Sequence, residues 1–393
     1  MTDNLVSGRL RGVEGSAVRE ILKLTERPDV LSMAGGLPAP ELFDVEGVRA
    51  AYDAVLSGPG ARRALQYSTT EGDSLLREQL AGLCQARGLD AEPDRILVTT
   101  GSQQALDLVI TALTDPGDVV VVERPTYLAA LQLFRISGLR VVSVETDEDG
   151  LDPDALAAAV REHDAKLVYT VSNFQNPMGA TLAAERRARV AECGAWVLED
   201  DPYGQLRYRG AAPPPVAAHA PDRVVYVSSL SKVMAPGLRL GWVLAPPALR
   251  AAMVIAKQAR DLHTSTIDQR AAGHYLASGV LPAQLERLHA AYGARLDTLL
   301  AGLPAATPDG TRWTTPEGGM FVWLTLPEGM DADALLPAAV DAGVAYVPGS
   351  TFFADDPRAN TARLAFVTLT EAEIAEGLTR LAPVLASSAP AAR

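Results

Sequence analysis

The sequence predicts an α/β protein: a three-layer α/β/α large domain around a mostly parallel sheet, joined to a smaller α+β domain. Three observations carry that expectation. The chain has 393 residues, more than one ordinary core and fewer than three, so two domains are expected. Through the middle, short β-branched runs alternate with Ala/Leu-rich stretches of helical length. From about residue 286 the pattern changes to a long helix followed by more widely spaced strands. The division expected from these shifts is 46–285 for the large domain, 286–393 for the small one and 1–45 for an N-terminal segment.

The elements follow in chain order. A helix is expected from Ser16 to Thr25, ending before Pro28, because the residue before a proline is pushed out of the helical region. Strands are expected at Ile96–Thr100, Val119–Val122, Val141–Val144, Leu167–Val171, Trp196–Glu199, Val224–Val227 and Leu240–Leu244. Near-continuous apolar strands separated by helices make a sheet covered on both faces. Then come a helix from Leu285 to Leu300 and strands at Gly319–Leu326, Val344–Val347 and Arg363–Val367. The tail from Ala386 is expected to fray.

Composition narrows the function. Apolar residues are 48% and charged residues 21%, ordinary globular values that exclude a disordered chain or a coiled-coil rod. Lys plus Arg is 35 and Asp plus Glu 48, a formal charge of 35 − 48 = −13. An acidic chain with no basic cluster repels phosphate backbones, so no nucleic-acid partner is expected. Cys84 and Cys193 are too few for a disulfide framework or a cysteine-based metal site, and no metal is expected. The start, Met1-Thr-Asp-Asn-Leu-Val, carries no signal-peptide pattern. No apolar run approaches the roughly 20 residues that span a bilayer, so no membrane partner is expected. The expected setting is cytoplasmic.

In such sheets ligands sit at the carboxyl ends of the strands. After Ile96–Thr100 comes Gly101-Ser-Gln-Gln104. A glycine turn feeding a helix makes an anion site, with Ser102 adding a hydroxyl; the plainer alternative is an ordinary N-cap. After Leu167–Val171 comes Gln175-Asn-Pro-Met-Gly179, a turn signal that would project Asn176 from a strand end. After Trp196–Glu199 comes Asp200-Asp-Pro-Tyr203. Two carboxylates there are costly unless something positive meets them. Asp200 and Tyr203 can face one pocket, although Pro202 also suits a helix start.

The most specific stretch is Ser228-Ser-Leu-Ser-Lys-Val-Met-Ala-Pro-Gly-Leu-Arg239. Ser228, Ser229, Ser231 and Arg239 suit the second half of a phosphate cradle. Only four of the 35 basic residues are lysine, namely Lys23, Lys166, Lys232 and Lys257. Where only positive charge is wanted this chain writes Arg, which favours a chemical role for Lys232 over a solvated loop lysine. Lysine can form a Schiff base with an aldehyde, and arginine cannot. A phosphate cradle, an aldehyde-capturing lysine, an Asp for a ring nitrogen and polar groups for a phenolic oxygen together make a site for pyridoxal 5′-phosphate.

These stretches resemble the fold-type-I, class I and II aminotransferases, and within them the branch of 2-aminoadipate and kynurenine aminotransferases. The resemblance runs from Ser16-Ala-Val-Arg-Glu-Ile-Leu-Lys23 through Met33-Ala-Gly-Gly-Leu-Pro38, Leu65-Gln-Tyr-Ser68, Glu199-Asp-Asp-Pro-Tyr203 and Gly318-Gly-Met-Phe-Val-Trp323 to Arg363-Leu-Ala-Phe366. The usual Asn-Pro-Thr-Gly reads Asn176-Pro-Met-Gly179, which leaves the Asn in place.

The resemblance implies a role for each residue. Lys232 would hold the cofactor and move the substrate proton. Asp200 would pair with the ring nitrogen, and Asn176 and Tyr203 would hold the phenolic oxygen. Tyr127 would stack on the ring; Ser102, Gln103, Ser229, Ser231 and Arg239 would bind phosphate. Arg363 would clamp the substrate α-carboxylate, the plainer alternative being a cross-strand charge pair. Gly36 and Tyr67 would lie at the mouth, Tyr67 reaching in from the partner of a homodimer with shared sites. Residues 1–45 would join the small domain and cover the site, with Arg19 meeting a distal carboxylate, unless it is a solvated helix arginine.

The activity implied is a ping-pong exchange of an amino group between an amino acid and a 2-oxo acid. Glutamate and 2-oxoglutarate would be one pair, with a 2-aminoadipate-like, aromatic or branched-chain second substrate. A lyase or other biosynthetic enzyme on the same cofactor is the alternative. A ligand-sensing regulator is the remote one, since such regulators place a basic winged helix ahead of this region.

Overall fold

The computed structural model describes residues 7–11, 13, 15 and 29–387. The expected helix Ser16 to Thr25, with Arg19, and residues 388–393 of the tail lie outside the described residues.

The strands are β1 Leu31–Ser32, β2 Ile96–Thr100, β3 Val119–Arg124, β4 Arg140–Asp147, β5 Gly150–Leu151, β6 Leu167–Thr170, β7 Trp196–Asp200, β8 Val224–Ser229, β9 Leu240–Leu244, β10 Arg312–Trp313, β11 Phe321–Thr325, β12 Val344–Ala345, β13 Val347–Pro348 and β14 Thr361–Ala365. Eight of them form one sheet in the order β2-β9-β8-β7-β6-β3-β4-β5. The pairs β4-β3, β3-β6, β6-β7 and β7-β8 are parallel, as the apolar runs predict. Strand β9 is antiparallel to both β8 and β2. Residues 230–239 are too short a link for the helical crossover that a parallel neighbour needs.

Every residue of β6, β8 and β9 is buried, and helices cover the sheet. The helix Gly101–Leu113 buries Ala105, Leu106, Leu108, Val109 and Ile110 and packs against the helix Pro247–Arg260. Arg187, fully buried on the helix Ala184–Ala191, secures the turn after β6. Its guanidinium donates to the carbonyls of Leu182, Pro214 and Ser172, each at 3.0 Å, and to Asn173 Oδ1 at 2.8 Å.

The C-terminal part forms a four-stranded sheet, β10-β11-β14-β13, antiparallel throughout. Two long helices, Leu281–Ala306 and Glu371–Ala386, pack together beside it. The N-terminal segment is tied to this part, because β1 pairs in parallel with β12, Leu31 opposite Val344.

Two expectations are corrected. The long helix runs Leu281–Ala306 rather than Leu285 to Leu300; Pro282 lies in its first turn, where a missing N–H costs nothing. The single strand expected at Val344–Val347 is two. Val344–Ala345 pairs with β1 while Val347–Pro348 pairs with β14, and Tyr346 between them sends its hydroxyl to the Ala332 carbonyl at 2.7 Å.

Candidate active site

The carboxyl ends of β2, β6, β7 and β8 meet the C-terminal sheet around a cavity of about 480 Å3. Twelve of the residues singled out from sequence line it: Gly36, Ser102, Gln103, Tyr127, Asn176, Asp200, Tyr203, Ser229, Ser231, Lys232, Arg239 and Arg363. Tyr67 does not. It is 77% exposed, its ring meeting His263 edge-on at 5.7 Å between centroids. Ser228, expected among the phosphate hydroxyls, is turned away and donates to the Asp201 carbonyl at 2.7 Å. Strand β8 continues through Ser229, so alternation sends Ser228 and Ser229 to opposite faces.

Three acids in a row, Glu199 and Asp200 at the end of β7 and Asp201 just beyond it, each meet a different environment. Glu199 accepts from the backbone N–H groups of Val216 and Ala217, both at 2.9 Å, and from the Ser172 hydroxyl. Asp201 is paired with Arg87 at 2.7 Å and accepts from Asn173 Nδ2 and the Tyr226 hydroxyl, both at 2.9 Å. The positive charge that two strand-end carboxylates require therefore goes to Asp201. Asp200, between them and lining the cavity, accepts among the described residues only from the Tyr169 hydroxyl, at 2.9 Å through Oδ2. Its Oδ1 is buried without a partner among the described residues. Burial pushes the Asp200 carboxyl up to about 7, against the pull of the Tyr169 hydrogen bond. The segment after it is a turn, not the helix that Pro202 would also permit.

The two halves expected of a phosphate cradle meet directly. The helix after β2 starts at Gly101, which has φ +77°, and a Cβ there would come within 2.5 Å of the Arg239 guanidinium. Only glycine admits that approach. Ser102 is the second residue of this helix, and no side chain caps its start, so the N-cap alternative fails. The first-turn N–H groups are those a helix leaves without intrahelical acceptors.

Lys232 lies at the centre. Its Nζ donates to the Gly36 carbonyl at 2.8 Å. Burial, reinforced by the positive charges of Arg363 and Arg239, pulls the amine down to about 8. An amine so placed supplies its free base near neutral pH, as nucleophile or proton acceptor.

Arg363, on β14, is held between two rings, 4.3 Å from the Phe321 centroid and 4.9 Å from that of Phe352. It donates to Asn176 Oδ1 and to the Ala34 carbonyl, both at 2.7 Å, and its Nε has no partner among the described residues. Its contacts are thus with neutral groups, and the cross-strand charge pair is absent among the described residues. Burial lowers its pKa to about 10.

The site fits pyridoxal 5′-phosphate. Asp200 Oδ1 is an unused acceptor for a ring nitrogen, Lys232 a reactive amine for an aldehyde, and Ser102, Ser229, Ser231 and Arg239 a donor set for phosphate. Sequence reasoning missed Tyr169, which reads as one more core residue of an apolar strand, and Phe352, which belongs to no motif. Phe321 sat inside a quoted stretch without a role.

The aminotransferase class I and II family model matches residues 49–381. An aromatic-amino-acid aminotransferase of Thermococcus litoralis is 43% identical over 390 residues, 96% of this chain and 93% of that protein. A 2-aminoadipate transaminase of Thermus thermophilus is 40% identical over 95% of this chain and 94% of its own. The crystal structure of Pyrococcus horikoshii kynurenine aminotransferase, in complex with PMP, superposes with a TM-score of 0.93, at 40% identity and 99% coverage of both chains. The chain belongs to the class I and II aminotransferases, and it is a pyridoxal-phosphate-dependent enzyme that transfers an amino group between an amino acid and a 2-oxo acid. Among the described residues no helix is long and apolar enough to cross a membrane.

The burial of Asp200 has a measurable sign in the cofactor-free protein. Its folded-state pKa stands above the ordinary value of 3.8, at about 7. Any stability this group provides is therefore complete below about pH 4 and is lost as pH rises towards 7. Asp200→Asn, which keeps an acceptor for Tyr169, is expected to gain on the wild type progressively between pH 4 and 7 in urea denaturation. A stability difference that stays flat with pH would show that the carboxyl is not held protonated.

Proposed function

We propose that this class I and II aminotransferase exchanges an amino group between glutamate or 2-oxoglutarate and a second amino acid with a long or aromatic side chain. The observation that carries this reading is the apolar remainder of the cavity. Apart from the residues suited to cofactor and α-carboxylate, the lining includes Leu37, Leu128, Val171, Phe321 and Phe352, and among the described residues it adds no further cation. The names of the relatives, aromatic-amino-acid, kynurenine and 2-aminoadipate aminotransferases, support such a pocket. A distal carboxylate requires a cation, and Arg19 is the residue proposed for it.

When bound, the cofactor supplies an electron sink for the negative charge that develops at the substrate α-carbon. The residues do the rest. Lys232 holds the cofactor through its amine and, once freed, its Nζ takes and moves the α-proton. Asp200 keeps the ring nitrogen protonated by opposite charge. Asn176 and Tyr203 hold the phenolic oxygen, and Tyr127 stacks on the ring. Ser102, Gln103, Ser229, Ser231 and Arg239 bind the phosphate. Arg363 clamps the α-carboxylate, and Gly36 lies at the mouth. The proposed division, 46–285 for the cofactor and 286–393 with 1–45 closing over it, is supported by the separate sheets and by the pairing of β1 with β12.

The proposed assembly is a homodimer in which Tyr67 completes the partner's site. Leu65, Tyr67 and Ile255, 70%, 77% and 71% exposed, support it, since large apolar groups so exposed suit a covered face. Light scattering is expected to give twice 41.5 kDa; an active monomer would reject the assembly.

For Lys232, borohydride reduction of the holoenzyme followed by peptide mapping is expected to place the cofactor on that residue, and Lys232→Ala to abolish turnover. A tag on Lys257, Lys166 or Lys23 would overturn the assignment.

For the second substrate, Arg19→Ala is expected to lower kcat/KM for 2-aminoadipate and glutamate by about ten- to a hundredfold, the worth of a charge-assisted pair, while sparing phenylalanine and leucine. Equal losses on acidic and apolar substrates, or none on either, would remove Arg19 from recognition.

A further inference from the structure

Lys257 is one of only four lysines and is fully buried, yet it lies outside the cavity lining. It sits in the last turn of the helix Pro247–Arg260. Its ammonium contacts three side chains in different directions: Gln104 Oε1 at 2.9 Å, Asp261 through Oδ1 at 2.8 Å and Oδ2 at 2.9 Å, and Thr264 Oγ1 at 3.0 Å. Three donors spread around one nitrogen suit lysine; the flat fork of arginine would not serve these acceptors.

The acceptors lead to one place. Gln104 Oε1 also accepts from the backbone N–H of Thr100 at 2.8 Å, and Gln104 Nε2 donates to Asp261 Oδ2 at 2.7 Å. The Thr100 hydroxyl donates to the same Asp261 oxygen at 3.0 Å and lies 3.2 Å from the Thr264 hydroxyl. The closed network grips both polar groups on the donor side of Thr100, the residue immediately before Gly101 and Ser102.

We propose that Lys257 is a positioning residue for the phosphate-binding turn, holding Thr100 through Gln104 and Asp261 so that the first amides of the helix Gly101–Leu113 and the Ser102 hydroxyl face the cavity. The inference rests on the reading of Ser102 as a phosphate ligand. Because Asp261 neutralises the ammonium at 2.8 Å, Lys257 acts by fixing geometry and not by adding charge to the cavity. Its effect falls on the phosphate end of the cofactor and leaves the ring end untouched.

The test compares two probes, pyridoxal 5′-phosphate and phosphate-free pyridoxal, titrated into the cofactor-free full chain. Lys257→Met is expected to weaken pyridoxal 5′-phosphate by about 10- to 100-fold, the worth of misaligned charge-assisted hydrogen bonds, and to leave pyridoxal unchanged. At saturating pyridoxal 5′-phosphate its kcat is expected to match the wild type. Gln104→Met removes the acceptor shared by Thr100 and Lys257, is expected to show the same selectivity, and decides the matter if Lys257→Met does not fold. Parallel loss of both probes, or no loss of either, would overturn the positioning role. Ser102→Ala separates the two readings. If it lacks the selective loss, the phosphate assignment falls, and the inference with it. If it shows the loss and the other two variants do not, only the role of Lys257 falls.

Discussion

The site depends on one unsatisfied oxygen. A buried carboxyl oxygen without a partner is expensive, and the chain places one, Asp200 Oδ1, at the end of a central strand, between two acids that are fully paired. Glu199 uses two backbone amides and a serine, and Asp201 uses Arg87, Asn173 and Tyr226. Of the three acids only Asp200 keeps an oxygen, Oδ1, without a partner among the described residues. The neighbours cannot stand in for it, because alternation along β7 turns them to the other face. A ligand that brings a positive ring nitrogen, as proposed for the cofactor, would offset the cost of that oxygen.

The rest of the architecture holds complementary groups around this point at short range. Gly101 lets Arg239 approach, and at Gly241 a Cβ would come within 2.6 Å of the Gly101 backbone, so the pairing of β9 with β2 brings together the two segments proposed to hold phosphate. Arg187 anchors the turn that carries Asn173, and Asn173 in turn steadies Asp201. Asn176, a few residues on, reaches Arg363 on the other sheet.

Most of this was legible because the chemistry is written in runs just after apolar strands. Lys232 stood out through the scarcity of lysine. The three-residue spacing of Asp200 and Tyr203 suits one pocket, and both line the cavity while Asp201 does not. What was not legible depended on strand ends and on distant pairing. Ser228 was misjudged because β8 runs two residues further than its β-branched run, which changes which serine faces inward. Tyr169 carried no signal, since a phenol in an apolar strand differs from its neighbours only by what its hydroxyl meets. Phe352 reaches Arg363 from the short 3-10 helix Gly349–Phe352, and no local pattern encodes that contact.

Arg363 differs from a surface arginine in its freedom. Its guanidinium is confined between two phenyl rings and tied at one end to Ala34 and Asn176 before any ligand arrives. The rotamer entropy that an exposed arginine surrenders on binding, up to about 2 kcal/mol, has already been surrendered in folding. A carboxylate bound there, as proposed, would meet a rigid fork at a fixed height, and tolerance for differing ligands would reside in lining residues other than those that hold Arg363, such as Leu37, Leu128 and Val171. A fixed gauge set in an otherwise adaptable lining suits an enzyme that must admit two different substrates in turn to the same place.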